Sequence, residues 1–91
     1  INVSDEEILN MIKLLGSTTG IFGEPAGVTG LAGIKNAVKE GIIGKEESVA
    51  VVITGNGLKD IDNARKAAGD LIEIEADIDK LSKIFDKKGV I

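Results

Sequence analysis

The sequence predicts an α/β fold, with helices packed on a small, mostly parallel sheet that this chain does not complete. Three observations predict it. Apolar residues recur at helical spacing in separate stretches of the chain. The run Val49-Ala50-Val51-Val52-Ile53 is continuous and rich in β-branched residues without alternation, which is how a strand covered on both faces reads. With Phe22 and Phe85 as the only aromatics in 91 residues, burial has to come from Ile, Leu, Val and Ala, a set suited to helices layered on a sheet.

The first helix starts at a strong signal. Ser4 is placed as N-cap, Glu7 follows three residues later to complete a capping box, and Val3 and Ile8 stand where a hydrophobic staple belongs. The spacing predicts a helix from Asp5 to Leu15, with Ile8, Met11, Ile12 and Leu15 as one buried stripe and Gly16 as C-cap. Ser17 to Gly20 reads as a polar turn, and Ile21-Phe22 as a short extended piece. Pro25 suits the first position of a second helix, because its fixed φ is helical and its missing N–H has no intrahelical partner there. That helix is expected to run to Glu40 and close at Gly41. Gly27, Gly30 and Gly33 recur inside it, each at a cost of roughly 0.5–1 kcal/mol relative to alanine, so something has to approach the helix closely.

The central strand follows at Ser48–Ile53 and ends in Thr54-Gly55-Asn56-Gly57. A short helix is predicted from Asp62 to Ala68, stopped by Gly69. Residues 71–75 set Ile72 and Ile74 against Glu73 and Glu75, the alternation of a half-exposed strand near an edge. Asp77 then caps a last helix whose buried face is Ile78, Leu81, Ile84 and Phe85, and Gly89 ends it. Two strands and a fragment make too small a sheet for an independent domain of this class. Either self-association extends it, or the chain is a portion of something larger, a reading that also suits a start at Ile1 without an initiator methionine.

Composition closes several functional classes. Fifteen acidic against eleven basic residues give a net charge of −4 with no basic block, so the phosphate-neutralising stripe of a nucleic-acid binder is missing. The absence of Cys and His removes disulfides, thiol nucleophiles, zinc ribbons and the imidazole base of most hydrolytic triads. The longest apolar run falls far short of the roughly 20 residues of a membrane span, and the acidic start is no signal peptide. A soluble cytoplasmic protein is expected. Asp60, Asp62, Glu73, Glu75, Asp77 and Asp79 lack the spacing and central glycine of a calcium loop and read as caps and solvated faces, so no metal site is expected.

Ligands of open parallel sheets sit beyond the carboxyl ends of the strands. That rule selects Thr54 to Gly57, and Gly23-Glu24-Pro25 after the shorter piece. From spacing alone, Thr54 to Gly57 reads equally as a tight turn. It fails as a dinucleotide fingerprint because the third glycine is absent. An Asn56-Gly57 hairpin is set aside, since Leu58 to Asp62 has no strand pattern. The Glu24 carboxylate, at a helix start, has the alternative task of satisfying free backbone donors, and the glycine ladder has the alternative of helix-on-sheet packing. Composition leaves both open.

Gly20-Ile-Phe-Gly-Glu-Pro-Ala-Gly27, then Leu31-Ala-Gly33, then Val49-Ala-Val-Val-Ile-Thr-Gly-Asn-Gly-Leu-Lys-Asp60 resemble the carboxyl-terminal third of the threonine synthases. These belong to the tryptophan synthase beta-like (fold type II) group of pyridoxal-phosphate enzymes, with threonine dehydratase and serine racemase. The resemblance starts at Val3 and weakens after Asp62. It implies that residues 1–91 form a single unit within a larger three-layer fold, whose parent converts O-phosphohomoserine and water to threonine and phosphate with pyridoxal phosphate as cofactor. It implies that Thr54 hydrogen-bonds the pyridine nitrogen, that Gly55 keeps the backbone beside the ring unobstructed, and that Glu24 lies beside the cofactor with Ala26 and Gly27 leaving space. Asn56 stands where relatives carry His or Asn. The Schiff-base lysine and the phosphate-gripping loop of this group precede the matching portion, and no lysine here stands in that context. Lys59 is read as structural. The resemblance therefore implies one wall of a cofactor site with no catalytic residue of its own, inactive in isolation, with the missing amino-terminal part of the enzyme as its partner. Neither nucleic acid nor membrane is expected as a partner. A threonine or serine dehydratase and a non-catalytic α/β binding or oligomerisation module are the alternatives.

Overall fold

The structure, a computed structural model, describes residues 1–89. Four helices organise it: α1 Asp5–Thr19, α2 Pro25–Lys39, α3 Ile61–Ala68 and α4 Ile78–Lys88, with a 3-10 turn at Gly57–Lys59 between α2 and α3. The expected sheet is not there. Among the described residues there is no strand, and the sole β pairing is an isolated antiparallel bridge between Gly23 and Asn56.

The start of α1 follows the expected chemistry. The Ser4 hydroxyl accepts from the Glu7 N–H at 3.1 Å and the Glu7 carboxylate accepts from the Ser4 N–H at 2.7 Å, so the capping box is complete. Val3 and Ile8 both pack against the core. The end of α1 corrects the reading of Gly16. The helix continues through it to Thr19 and closes on Gly20, which adopts φ +76° and donates its N–H to the Gly16 carbonyl at 3.0 Å. The residues between are held on the helix by their hydroxyls: Ser17 and Thr18 donate to the Leu14 carbonyl and Thr19 to that of Leu15. Such bonds let Ser and Thr extend a last turn that propensity alone disfavours.

The second helix begins at Pro25, as expected, and ends at Lys39, with Glu40 as C-cap and Gly41 at φ +75°. Asp60 caps α3 and Asp77 caps α4, their carboxylates accepting from the backbone N–H groups of Asn63 and of Asp79 and Lys80 respectively. Gly89 closes α4 in the left-handed region at φ +68°. The buried face predicted for α4 is not buried: Ile78 is 76% exposed, Leu81, Ile84 and Phe85 are half-buried, and no residue of the helix belongs to the core.

The core sits where α1 packs on α2 and α3. It consists of Met11, Ile12 and Leu15 from α1, Val28 and Ala32 from α2, and Ala67 from α3, with Leu9, Leu31 and Ile53 against its edge. Val28 is completely enclosed.

The two predicted strands fail for one physical reason. A strand exists through its neighbours, since its N–H and C=O groups need partners on adjacent chain, and among the described residues no neighbouring strand pairs with residues 48–53 or 71–75. The 48–53 segment is covered on one side only. Ile53 reaches the core and the Val51 side chain touches α2 at Gly30, while Val49 and Val52 are 48% and 79% exposed. Residues 71–75 are exposed throughout, Leu71 at 97%. The result is an open molecule. Its Cα radius of gyration is 16.2 Å, against about 12 Å for a compact domain of this length.

Candidate functional site

The two segments singled out by the sequence, far apart along the chain, meet in space. Phe22-Gly23-Glu24 runs antiparallel to Gly55-Asn56-Gly57. The Glu24 N–H donates to the Gly55 carbonyl and the Gly57 N–H to the Phe22 carbonyl, each at 3.0 Å. These two bonds flank the Gly23–Asn56 bridge and fasten the start of α2 to the end of the β-branched run.

The side chains explain why the pairing takes this form. Residues facing each other across an antiparallel pair share one side of it, so Glu24 faces Gly55 and Phe22 faces Gly57. In both pairs the large side chain occupies the space a Cβ of the glycine would take. A Cβ on Gly55 would stand 1.9 Å from Glu24 Oε1, and one on Gly57 would stand 1.9 Å from Phe22 Cε1. Gly55 and Gly57 are sockets, and neither needs a positive φ. The pairing was missed in the sequence, although its signal is there: Phe22 and Glu24 are two apart, and so are Gly55 and Gly57.

The glycine ladder of α2 resolves residue by residue. Gly27 is the close approach that the sequence demanded, since a Cβ there would lie 3.0 Å from the Gly55 N and 3.2 Å from the Thr54 N. The first turn of α2 therefore lies directly against the Thr54–Gly55 backbone. Gly30 has only an ordinary contact, with Val51 at 3.9 Å, and Gly33 has nothing within 4 Å.

Thr54 ends the β-branched run on the exposed surface, and Ala26, in the first turn of α2, is exposed as well. The hydroxyls of Thr18, Thr19 and Thr29 donate to helix carbonyls one turn back; Thr54 lies outside any helix. Glu24 is the N-cap of α2 yet forms no cap bond through its side chain, so the reading of its carboxylate as a helix cap is not what the structure contains. The carboxylate lies over Gly55 with its side chain 20% exposed, and the Lys59 ammonium stands 3.8 Å from Oε1. Lys59 was read as structural; its pairing with Glu24 is the feature that spacing did not reveal. Asn56 caps the 3-10 turn, its side-chain oxygen accepting from the Leu58 N–H at 2.9 Å.

Two carboxylates at helix starts have lowered pKa values. Asp60 is held below its ordinary range by the Asn63 side-chain amide, then by the Asn63 backbone N–H. Glu7 is held down by the Ser4 backbone N–H, then by the Asn36 amide, which reaches it from α2 at 3.1 Å. Both are structural groups. No cluster of three or more acidic side chains suited to a metal ion occurs among the described residues, and no helix described here is long and apolar enough to cross a membrane.

The profile of the pyridoxal-phosphate dependent enzyme family matches residues 1–55, more than half the chain, and the chain belongs to that family. Among curated proteins it is similar to threonine synthases. It is 45% identical to that of Methanocaldococcus jannaschii over 83 residues, which cover 91% of this chain and 20% of the relative. It is 44% identical to that of a Bacillus species over 90 residues, covering 98% of this chain and 25% of the relative. The threonine synthase of Methanosarcina acetivorans is 37% identical over 87 residues, covering 94% and 22%. The chain thus spans about a fifth to a quarter of the length of these relatives. The family profile ends at residue 55, whereas these three matches extend over 83, 90 and 87 residues.

Proposed function

We propose that this chain is the carboxyl-terminal portion of a pyridoxal-phosphate-dependent threonine synthase, with residues 1–91 acting as one unit of a larger cytoplasmic enzyme. Its task is to supply the side of the cofactor cleft that faces the pyridine nitrogen. The parent reaction converts O-phosphohomoserine and water to threonine and phosphate. The observation that supports this reading is the antiparallel clasp at Gly23 and Asn56, which ties the backbone of Glu24 to that of Gly55, the residue after Thr54, across segments separated by the whole of α2.

The residues present fit the cofactor. Thr54 offers an exposed hydroxyl at the end of the run, and a hydroxyl can hydrogen-bond a heterocyclic nitrogen without supplying the charge that would hold it protonated. Gly27 lets the first turn of α2 pack directly on the Thr54 and Gly55 backbone, which fixes the position of Thr54, and the neighbouring Ala26 is exposed and carries only a methyl. Glu24 is kept to one side by its seat on Gly55 and by Lys59. When bound, pyridoxal phosphate supplies the electron sink for chemistry at the substrate's α- and β-carbons. This chain orients the ring and sets the polarity at its nitrogen; the lysine that anchors the cofactor and the loop that holds its phosphate belong to the partner portion of the enzyme.

The test is an assay of the full-length protein carrying this chain. Stoichiometric formation of threonine and inorganic phosphate from O-phosphohomoserine is expected, with Thr54→Ala lowering kcat and shifting the cofactor's absorbance. Ammonia and 2-oxobutyrate released from threonine, with no phosphate released from O-phosphohomoserine, would reassign the protein as a dehydratase. A coding region that begins at Ile1 would make it a separate module.

A further inference from the structure

Of the N-caps of the four α-helices, three use their side chains as caps: Ser4, Asp60 and Asp77 each accept a backbone N–H of the helix they start. Glu24 does not. Its carboxylate is nevertheless at the positive end of α2, where a negative charge is favoured, and the side chain is long enough to turn toward that end. In the structure it lies the other way, across the Cα of Gly55, with most of its surface covered. A second attraction has to offset the helix terminus, and the cation within reach is Lys59, 3.8 Å from Oε1.

Lys59 is well placed to hold that position. It closes the 3-10 turn, its N–H donates to the Asn56 carbonyl at 3.1 Å, and the following N–H of Asp60 donates to the Gly57 carbonyl at 3.2 Å. Asn56 is itself the bridge partner of Gly23 and caps the same turn. The stem of Lys59 therefore rises from backbone fixed to the segment that carries Glu24, and only its outer part is free, the side chain being 65% exposed.

We propose that Lys59 is a positioning residue of the cofactor surface: it holds the Glu24 carboxylate over Gly55 and off the α2 N-terminus, and it acts on the site solely through Glu24. This rests on the reading of Glu24 as a flank of the cofactor cleft. It follows that Lys59 touches neither cofactor nor substrate, and that its effect depends on its charge more than on its shape.

The experiment compares Lys59→Met, Lys59→Arg, Glu24→Gln and the Lys59→Met/Glu24→Gln pair in the full-length holoenzyme. The readouts are the dissociation constant of pyridoxal phosphate, the absorbance maximum of the bound cofactor, and kcat/KM for O-phosphohomoserine. Lys59→Met is expected to weaken cofactor binding and lower kcat/KM by about two- to fivefold, the range of a partly exposed ion pair, and to move the absorbance in the same direction as Glu24→Gln. Lys59→Arg restores both, and Lys59→Met has no further effect once Glu24 is Gln. If Glu24→Gln changes the readouts while Lys59→Met leaves them at wild type, or if the two losses add in full, the role of Lys59 is overturned and that of Glu24 stands. If Glu24→Gln itself changes nothing, the reading of Glu24 falls and this inference with it.

Discussion

A glycine can be required for the room it leaves and not for the angle it adopts, and Gly57 is such a position. Its φ is negative, so alanine fits the backbone, but the added methyl would meet the Phe22 ring at 1.9 Å, and a ring cannot fold aside as a flexible chain end can. Gly57→Ala is expected to destabilise the chain by about 1–3 kcal/mol, the cost of overpacking. Urea denaturation should show most of that loss disappearing when Phe22→Ala is added. Within α2, the same substitution should have opposite signs at two positions. Gly27→Ala forces a methyl against backbone nitrogens at 3.0 and 3.2 Å and is expected to destabilise. Gly33→Ala meets nothing within 4 Å and should stabilise the isolated chain by about 0.5–1 kcal/mol through helix propensity and reduced unfolded-state entropy. Equal effects at both positions would contradict the packing described for Gly27.

Among the secondary-structure elements, the starts of α1 and α3 depend on carboxylates that must be ionised. Glu7 and Asp60 both titrate below their ordinary range in the folded chain. A lowered folded pKa favours the fold at every pH above the unfolded value, and that contribution is lost as pH falls through the folded one. Helical circular dichroism should therefore be constant from neutrality down to the ordinary carboxylate range and fall below it. Asp60→Asn, which keeps a good N-cap, should remove part of the acid-sensitive loss while leaving the neutral signal unchanged. Ser4→Ala removes half of the capping box and is expected to cost about 1 kcal/mol. Helices were legible in the sequence because these signals are local: Ser4 with Glu7, Pro25, Asp77 and Gly89 all act within a turn of where they stand. The end of α1 was misplaced because the hydroxyl bonds of Ser17, Thr18 and Thr19 outweigh a glycine that reads as a stop. The strands were not realised because their pattern describes an environment with neighbours on either side, and residues 48–53 have α2 on one side alone. At the site, Thr54, Gly55, Glu24 and Ala26 were legible as candidates from two motifs, whereas the Phe22–Gly57 and Glu24–Lys59 pairs depend on register across the bridge, which no single segment encodes.

For the molecule as a whole, the open shape has measurable consequences. Val52 and Leu71 are 79% and 97% exposed, on segments that have strand composition without strand partners, and such edges recruit other chains. Sedimentation of the isolated chain should show concentration-dependent self-association, reduced by Val52→Lys with Leu71→Lys. In the full-length enzyme Val52→Lys should have the contrary effect, because a covered strand would bury the new charge without a partner, at a cost of about 3–5 kcal/mol. A Val52→Lys enzyme with wild-type thermal stability would remove the basis for reading residues 48–53 as an interior strand. The clasp also constrains how such proteins diverge. Since Phe22 occupies the volume that Gly57 vacates, the two positions cannot drift independently: a lineage that gains a side chain at one must first give up the ring at the other. In a large enough collection of relatives, substitutions there should arrive as a correlated pair.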